Sequence, residues 1–153
     1  MIATTPSLFE ALSSIAVLGG TSSAAQTLLA NEGAVHDFPP NAWIVREGDE
    51  GHAFFILVEG DVEVVKHAVS LATLHPGCIF GEMCILCPMP RAASIRALTP
   101  VKAIEIKAAT LHHLYQKMPD QYALVLLNLA RDMARRLCLL DEAYSARAGL
   151  SPV

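Results

Sequence analysis

One carboxylate and one guanidinium stand nine residues apart in a mostly apolar run. Residues 80 to 97 read FGEMCILCPMPRAASIRA, with Glu82 directly after Gly81 and Arg91 directly before Ala92 and Ala93. An arginine can grip an oxyanion through two parallel N–H bonds. Gly81-Glu82 would open a helix of one or two turns over EMCILC, stopped by Pro88 and Pro90, and the first N–H groups of such a helix also suit phosphate oxygens. An acid in contact with the anion would repel it. Glu82 therefore fits this scheme by accepting from a hydroxyl elsewhere on the same ligand, as in a ribose joined to a phosphate. From the spacing alone a plainer arrangement stands equally well, with Glu82 a first-turn acid favoured by the helix dipole and Arg91 a surface cation.

Other chemistry has weaker footing. Cys84-x-x-Cys87, with Cys78 nearby, has a thiolate spacing that suits tetrahedral metal or iron–sulfur ligation, but a cysteine in an apolar helix is more often inert packing. The six histidines, at 36, 52, 67, 75, 112 and 113, include no H-x-H pair followed by an acid on adjoining strands. Ser94 has no partner histidine implied by spacing, and neither G-x-S-x-G nor G-x-x-x-x-G-K-[ST] occurs. The expectation is a binding protein with no metal site and no catalytic residues, not an enzyme.

The whole chain must position this segment. Its 153 residues, 53% apolar and 17% charged, fit one domain over 1–153 with a real core. A net charge of −4 disfavours a surface devoted to nucleic acid, so no DNA partner is expected. No apolar run of 18 or more occurs, and Glu10 interrupts a start that lacks a basic n-region, so neither a membrane span nor a signal peptide is read. Four cysteines without a tight framework suit a reducing cytoplasm.

The hydrophobic period changes twice. Residues 6 to 31 place Leu8, Phe9, Leu12 and Ile15, then after Gly19-Gly20 Ala25, Leu28 and Leu29, at helical spacing: two short N-terminal helices. Residues 34 to 107 break into AVHDF, AWIVR, AFFILV, DVEVVKH, VSLATL, ASIRAL and VKAIEI, separated by turn residues such as Pro40-Asn41, Gly48, Gly51, Gly60 and Thr99-Pro100. Residues 108 to 146 return to helix, AATLHHLYQKM up to Pro119 and then one long helix. In that helix Leu126, Ala130, Met133, Leu137, Leu140 and Tyr144 form a heptad-like stripe, with a second edge of Tyr122, Val125 and Leu129. The fold class is α+β, mainly β: an antiparallel, jelly-roll-like β-roll with short N-terminal helices, a short helix in the 80–97 segment and a long C-terminal helix. The second edge suits docking on the β-roll and the stripe suits a homodimer, although a stripe of this kind packs on its own domain about as often.

With the elements in place, the opening segment resembles the phosphate-binding cassette of the cyclic nucleotide-binding domain family, whose pattern is close to F-G-E-[L/M]-A-L-x(5)-P-R-[A/T/S]-A-[T/S]-[V/I]-x-A. The acid-to-arginine spacing is similar to that of the regulatory subunits of the cyclic AMP-dependent protein kinase, and the likeness runs from about Leu8 to Ala143, taking in Gly48, Gly60 and Gly77. The resemblance implies a site of Phe80, Gly81, Glu82, Met83, Arg91, Ala92 and Ala93. Glu82 would accept from the ribose 2′-hydroxyl, Arg91 would pair with the cyclic phosphate, the N–H groups of Met83 and Ala92 would complete the cradle, and Ile79 and Phe80 would wall the sugar and base. Alanine at 92, where members that prefer cyclic GMP often carry threonine, implies cyclic AMP as ligand and cyclic GMP as second choice, with no further cofactor.

The long helix, with MARRL at 133 to 137, is similar to the dimerisation helix of the catabolite activator relatives. Leu140-Asp141 stands where those carry a threonine-serine pair over the adenine, so Leu140 would cap the base by apolar contact. Transcription factors of the family continue into a DNA-reading domain, whereas this sequence stops at Val153. The resemblance therefore implies a stand-alone cyclic AMP receptor, dimeric through its C-terminal helix and passing its signal to a downstream protein. The alternative is a scaffold that keeps the fold without needing ligand.

Overall fold

A computed structural model describes residues 8 to 149, and for Leu8 and Phe9 the backbone only; residues 1 to 7 and 150 to 153, including the start of the helix expected from residue 6, lie outside the described residues. Eight strands form two four-stranded antiparallel sheets: β1 (Ala34–Phe38), β8 (Val101–Lys107), β3 (Ala53–Glu59) and β6 (Ile79–Phe80) in one, β2 (Trp43–Val45), β7 (Ser94–Ala97), β4 (Val62–Lys66) and β5 (Val69–Leu74) in the other. Side-chain alternation along β3 explains why its sequence is apolar throughout. Phe54 and Ile56 join a core under the helices, while Phe55 and Leu57 point into the space between the sheets. β8 divides in the same way, Ile104 and Ile106 to the helices and Val101 and Ala103 to the sandwich. A sheet covered on both faces needs no polar positions.

The second sheet has only one covered face and alternates accordingly. Val62 and Ile95 are buried, while Glu63 and Arg96 on the other face pair at 2.6 Å. Trp43 lies on that outer face beneath the guanidinium groups of Arg46 and Arg96, at 5.1 and 5.5 Å from its ring centroid.

Five helices complete the described residues: α1 (Leu8–Ser13), α2 (Ser23–Glu32), α3 (Met83–Leu86), α4 (Ala108–Lys117) and α5 (Pro119–Arg147), with a 3-10 turn at Ala16–Leu18. Ser22 caps α2 by accepting from the Ala25 amide, and Pro119 occupies the first turn of α5, where its missing N–H costs nothing. The second edge of α5 docks as the spacing predicts: Val125 and Leu129 are fully buried under the first sheet. Asn128 fixes the helix there by donating to Val17 O at 3.0 Å and Gly19 O at 2.9 Å. Beyond Met133 the expected stripe is uncovered, with Leu137 59% and Leu140 66% exposed.

Two local features depart from the sequence expectation. β6 is a strand that the sequence segmentation omits, only two residues long and paired with Phe55 and Ile56. The β4–β5 hairpin turns through His67 and Ala68, both at positive φ (48° and 62°), a conformation uncommon for any residue but glycine and least expected of Ala68.

Candidate functional site

Arg91 is placed by its backbone before its side chain contributes anything. Its N–H donates to Asp49 O (2.8 Å) and its carbonyl accepts from Gly48 N (2.9 Å), so the 46–52 loop clamps the end of the cassette. Ser94 Oγ adds a contact by accepting from the Glu47 amide at 2.8 Å. The side chain then runs back into the fold, and the residue as a whole is 9% exposed. Two glycines make room for it. A Cβ on Gly51 would lie 2.4 Å from Arg91 Nε, and one on Gly81 would lie 2.5 Å from Arg91 Nη1. Gly81 also adopts φ +78°, which glycine takes without steric cost.

Inside that slot Arg91 Nη1 donates to Gly81 O at 2.9 Å and to Cys84 Sγ at 3.1 Å. The Cys84 thiol in turn donates to Gly81 O at 3.0 Å. Arg91 is thus not the surface cation of the plainer arrangement, and Cys84 is not inert packing: it is half-buried and bonded to the guanidinium.

Glu82 precedes α3 as its N-cap, but its carboxylate makes no capping bond to the helix. It is only 6% exposed, which also excludes a role as an ordinary solvated first-turn acid. Its Oε1 accepts from Arg136 Nη1 at 3.2 Å, and Arg136 Nη2 donates to Ile79 O at 2.7 Å. Asp132 Oδ2 lies 2.8 Å from the same Nη2, within pairing distance but off the line of the N–H, and receives no hydrogen bond. Burial pushes the Glu82 carboxyl above its ordinary value of 4.5. A hydrogen bond from its own backbone N–H and then the charges of Arg136 and Arg91 pull it back down, and Asp132 adds to the rise.

The structure gathers the remaining expected residues around this pair, with different degrees of access. Phe80 is deep in the sandwich core, stacked on Phe55 at 5.2 Å with 12° between ring planes, so it supports Gly81 and Glu82 from below. Met83 is exposed, Ala92 and Ala93 are half-buried, and among the described residues the N–H groups of Met83 and Ala92 find no protein acceptor. Leu140 lies four residues past Arg136 on α5, hence one turn further along the same face. A cavity of about 60 Å³ lined by Val17, Ile79, Asn128 and Asp132 and a groove of about 370 Å³ lined by Glu10, Ser14, Leu57 and Pro76 do not include Glu82 or Arg91. No three side chains of His, Cys, Asp or Glu converge as a metal site among the described residues.

Arg136 is the residue that sequence reasoning passed over. MARRL carries the likeness to the dimerisation helix, and its Met133 and Leu137 belong to the stripe, but the buried acid needs a cation and Arg136 bonds to it. The sequence carried a faint signal in the i, i+4 spacing of Asp132 and Arg136, which orients the arginine along the helix.

A family profile described as the cyclic nucleotide-binding domain matches residues 35–118, more than half of the chain. The chain belongs to the cyclic nucleotide-binding domain family. Among its relatives, the cAMP-dependent protein kinase regulatory subunit of Emericella nidulans is 39% identical over 71 residues, which is 45% of this chain and 17% of that protein. The chain spans less than a quarter of the length of the curated relatives it matches. Among solved structures, a cyclic nucleotide-binding domain from Methylobacillus flagellatus matches with a TM-score of 0.77 at 24% identity, over 96% of this chain and 84% of that one. The Thermus thermophilus catabolite activator protein matches with a TM-score of 0.72 at 27% identity, over 86% of this chain and 62% of that one. The fold is that of the cyclic nucleotide-binding domain, an antiparallel β-roll with N-terminal helices and a long C-terminal helix. No helix among the described residues is long and apolar enough to cross a membrane.

Proposed function

We propose that this cyclic nucleotide-binding domain is a cyclic AMP receptor module, not an enzyme, that reports ligand through α5 to a partner protein. The observation that carries the proposal is the burial of Glu82 and Arg91 side by side, each already bonded to groups that mimic a ligand. Arg91 rests on a carbonyl and a sulfur, both weaker acceptors than a phosphate, so a cyclic phosphate offers it a better partner. Glu82 Oε1 holds Arg136, and an ionised carboxylate with about four lone-pair sites can also accept from a ribose hydroxyl. The free N–H groups of Met83 and Ala92 suit the phosphate oxygens, with Gly81 and Ala93 allowing close approach and Phe80 holding the segment on the core. Because Arg136 belongs to α5, occupancy at Glu82 acts directly on the helix whose distal half is uncovered. That half, with Leu137, Leu140 and Tyr144, supports pairing with a second copy, and Leu140 stands on the right face to cover the base.

One observation favours the scaffold alternative: both polar groups of the cassette are satisfied internally, so the fold does not need ligand to bury them. Calorimetric titration with cyclic AMP and cyclic GMP separates the readings. The receptor reading expects cyclic AMP to bind more tightly, and Ala92→Thr to narrow the gap by about 1 kcal/mol, the scale of one net hydrogen bond to guanine. Tenfold tighter cyclic GMP binding would refute the ligand assignment. No heat with either nucleotide at millimolar concentration would leave the scaffold.

A further inference from the structure

The cassette contains a nucleophile that ligand binding does not use. Cys84 Sγ sits between the Gly81 carbonyl and the Arg91 guanidinium, at 3.0 and 3.1 Å, so the resting position of the phosphate-binding cation depends on a reduced thiol. A Cβ on Gly51 would come within 2.8 Å of this sulfur and 2.5 Å of Arg91 Cζ, so the loop packs both into one slot. A second thiol stands close by. Cys87 closes the same single helical turn, its N–H bonded to Met83 O at 2.8 Å, and its side chain is exposed. Residues three apart on a turn have Cβ atoms about 5–6 Å apart, against about 3.5–4.5 Å in a disulfide. Joining them requires a shift of about 1–2 Å by a four-residue helix that has no fully buried side chain and rests on the core through the half-buried Ile85.

We infer that Cys84 and Cys87 form a reversible thiol pair that gates the cassette, with a hydroperoxide as the oxidant. The Cys84 sulfur attacks the nearer peroxide oxygen, the O–O bond breaks, and the leaving oxygen departs with the bonding electrons beside the Arg91 guanidinium, taking up the proton lost by the thiol to leave as water or an alcohol. The product is a sulfenic acid, the sulfur having lost two electrons and the peroxide gained them. The Cys87 thiol gives up its proton and its sulfur attacks the Cys84 sulfur, the S–O bond breaks, the departing hydroxide takes up that proton and leaves as water, and the disulfide closes. Oxidised, Cys84 no longer offers its thiol to Gly81 O or its resting contact to Arg91, and α3 is drawn away from the position in which Met83 N–H faces the ligand. The gating of ligand affinity rests on the receptor reading above; the thiol chemistry does not.

Cys138 provides an internal reference, since it is exposed on α5 and none of the described bonds reaches it. The reduced protein is treated with hydrogen peroxide and mapped by mass spectrometry, and cyclic AMP is titrated before oxidation, after it, and after dithiothreitol. Cys84 should be consumed at least tenfold faster than Cys138 and recovered in a peptide linked to Cys87. Cys87→Ser should bind cyclic AMP like the wild type when reduced, and on oxidation should stop at a sulfenic acid that dimedone captures at Cys84. Affinity of the oxidised wild type should fall at least tenfold and return on reduction. Equal rates at Cys84 and Cys138 would overturn the thiol pair. A Cys84–Cys87 disulfide that leaves affinity unchanged would overturn the gating. A reduced protein that binds neither cyclic nucleotide refutes the receptor reading and the gating with it, while the mass comparison still upholds or refutes the disulfide.

Discussion

Replacing Arg136 by methionine keeps most of the side-chain volume on α5 and removes the charge that faces Glu82. At 3.2 Å and an effective dielectric of about 20, the lost Coulomb attraction is about 5 kcal/mol before solvent is counted. Much of this is returned, because Arg136 no longer pays for leaving water and is one-third exposed in the native state. The bond to Ile79 O adds about 1 kcal/mol. A net loss of about 2 kcal/mol at pH 7 follows, which for a chain of this length is a fall in Tm of about 4–8 °C. The pH dependence carries the sign of the argument. Burial raises the Glu82 carboxyl above 4.5, so the folded state holds its proton more tightly than the unfolded chain. Stability from this group is complete below 4.5 and is lost as the pH rises through the higher folded value. Without Arg136 the folded value rises further, and the deficit of the variant should grow between about pH 4.5 and 7.5. Thermal melts across that range, with Glu82→Gln/Arg136→Met as control, test it; the double variant should recover most of the loss at pH 7. An Arg136→Met protein that melts within 1 °C of wild type at every pH would refute the account of Glu82 as a buried acid held by α5.

Arg91→Lys keeps the charge but loses the fork, so cyclic AMP affinity should fall at least tenfold by titration, on the order of 1.5–3 kcal/mol. The burial of Arg91 and its bond to Gly81 O also predict a fall of a few degrees in Tm, where a surface cation would give none. Gly51→Ala introduces a Cβ 2.4 Å from Arg91 Nε at a residue whose φ is not positive; the guanidinium must move, and binding should weaken more than Tm falls. Leu137→Glu is nearly free in a single chain, where the side chain is 59% exposed, but places an unpaired charge in the proposed seam. Sedimentation should show weaker self-association at unchanged Tm, and unchanged association would refute the seam.

The β-roll was legible because its determinants are local. Period-two alternation marks the half-covered sheet, and continuous apolar runs mark the sheet covered on both faces, as in AFFILV. Asn41 was legible too, being one of the few residue types that accepts φ 69°. His67-Ala68 was not, because their positive φ is held by the strand pairing and by Glu47, whose carboxylate accepts from the His67 N–H at 3.0 Å and lies 20 residues away in the sequence. The cassette could be read from Glu82 and Arg91, but their setting could not. Whether Arg91 is a surface cation or a buried one depends on Gly51 and Gly81 standing beside it. The partner of Glu82 is 54 residues away, on a helix whose rotation about its axis is decided by Val125, Asn128 and Leu129.

That rotation is also what gives the site a way to act at a distance. A ligand shifts a conformational equilibrium only by the difference in its free energy of interaction with the two states. In this chain the difference has one evident place to arise. The proximal part of α5 is fixed by buried Val125 and Leu129 and by two bonds from Asn128, and the distal part is exposed. Arg136 lies between them, bonded both to the Glu82 carboxylate and to the β6 backbone at Ile79. A hydroxyl donating to the Glu82 carboxylate favours the ionised form of that acid. The ionised form holds Arg136 more strongly than the protonated form does. Ligand and helix would then reinforce one another through a single carboxylate, and by linkage whatever holds α5 in place would tighten ligand binding by the same factor.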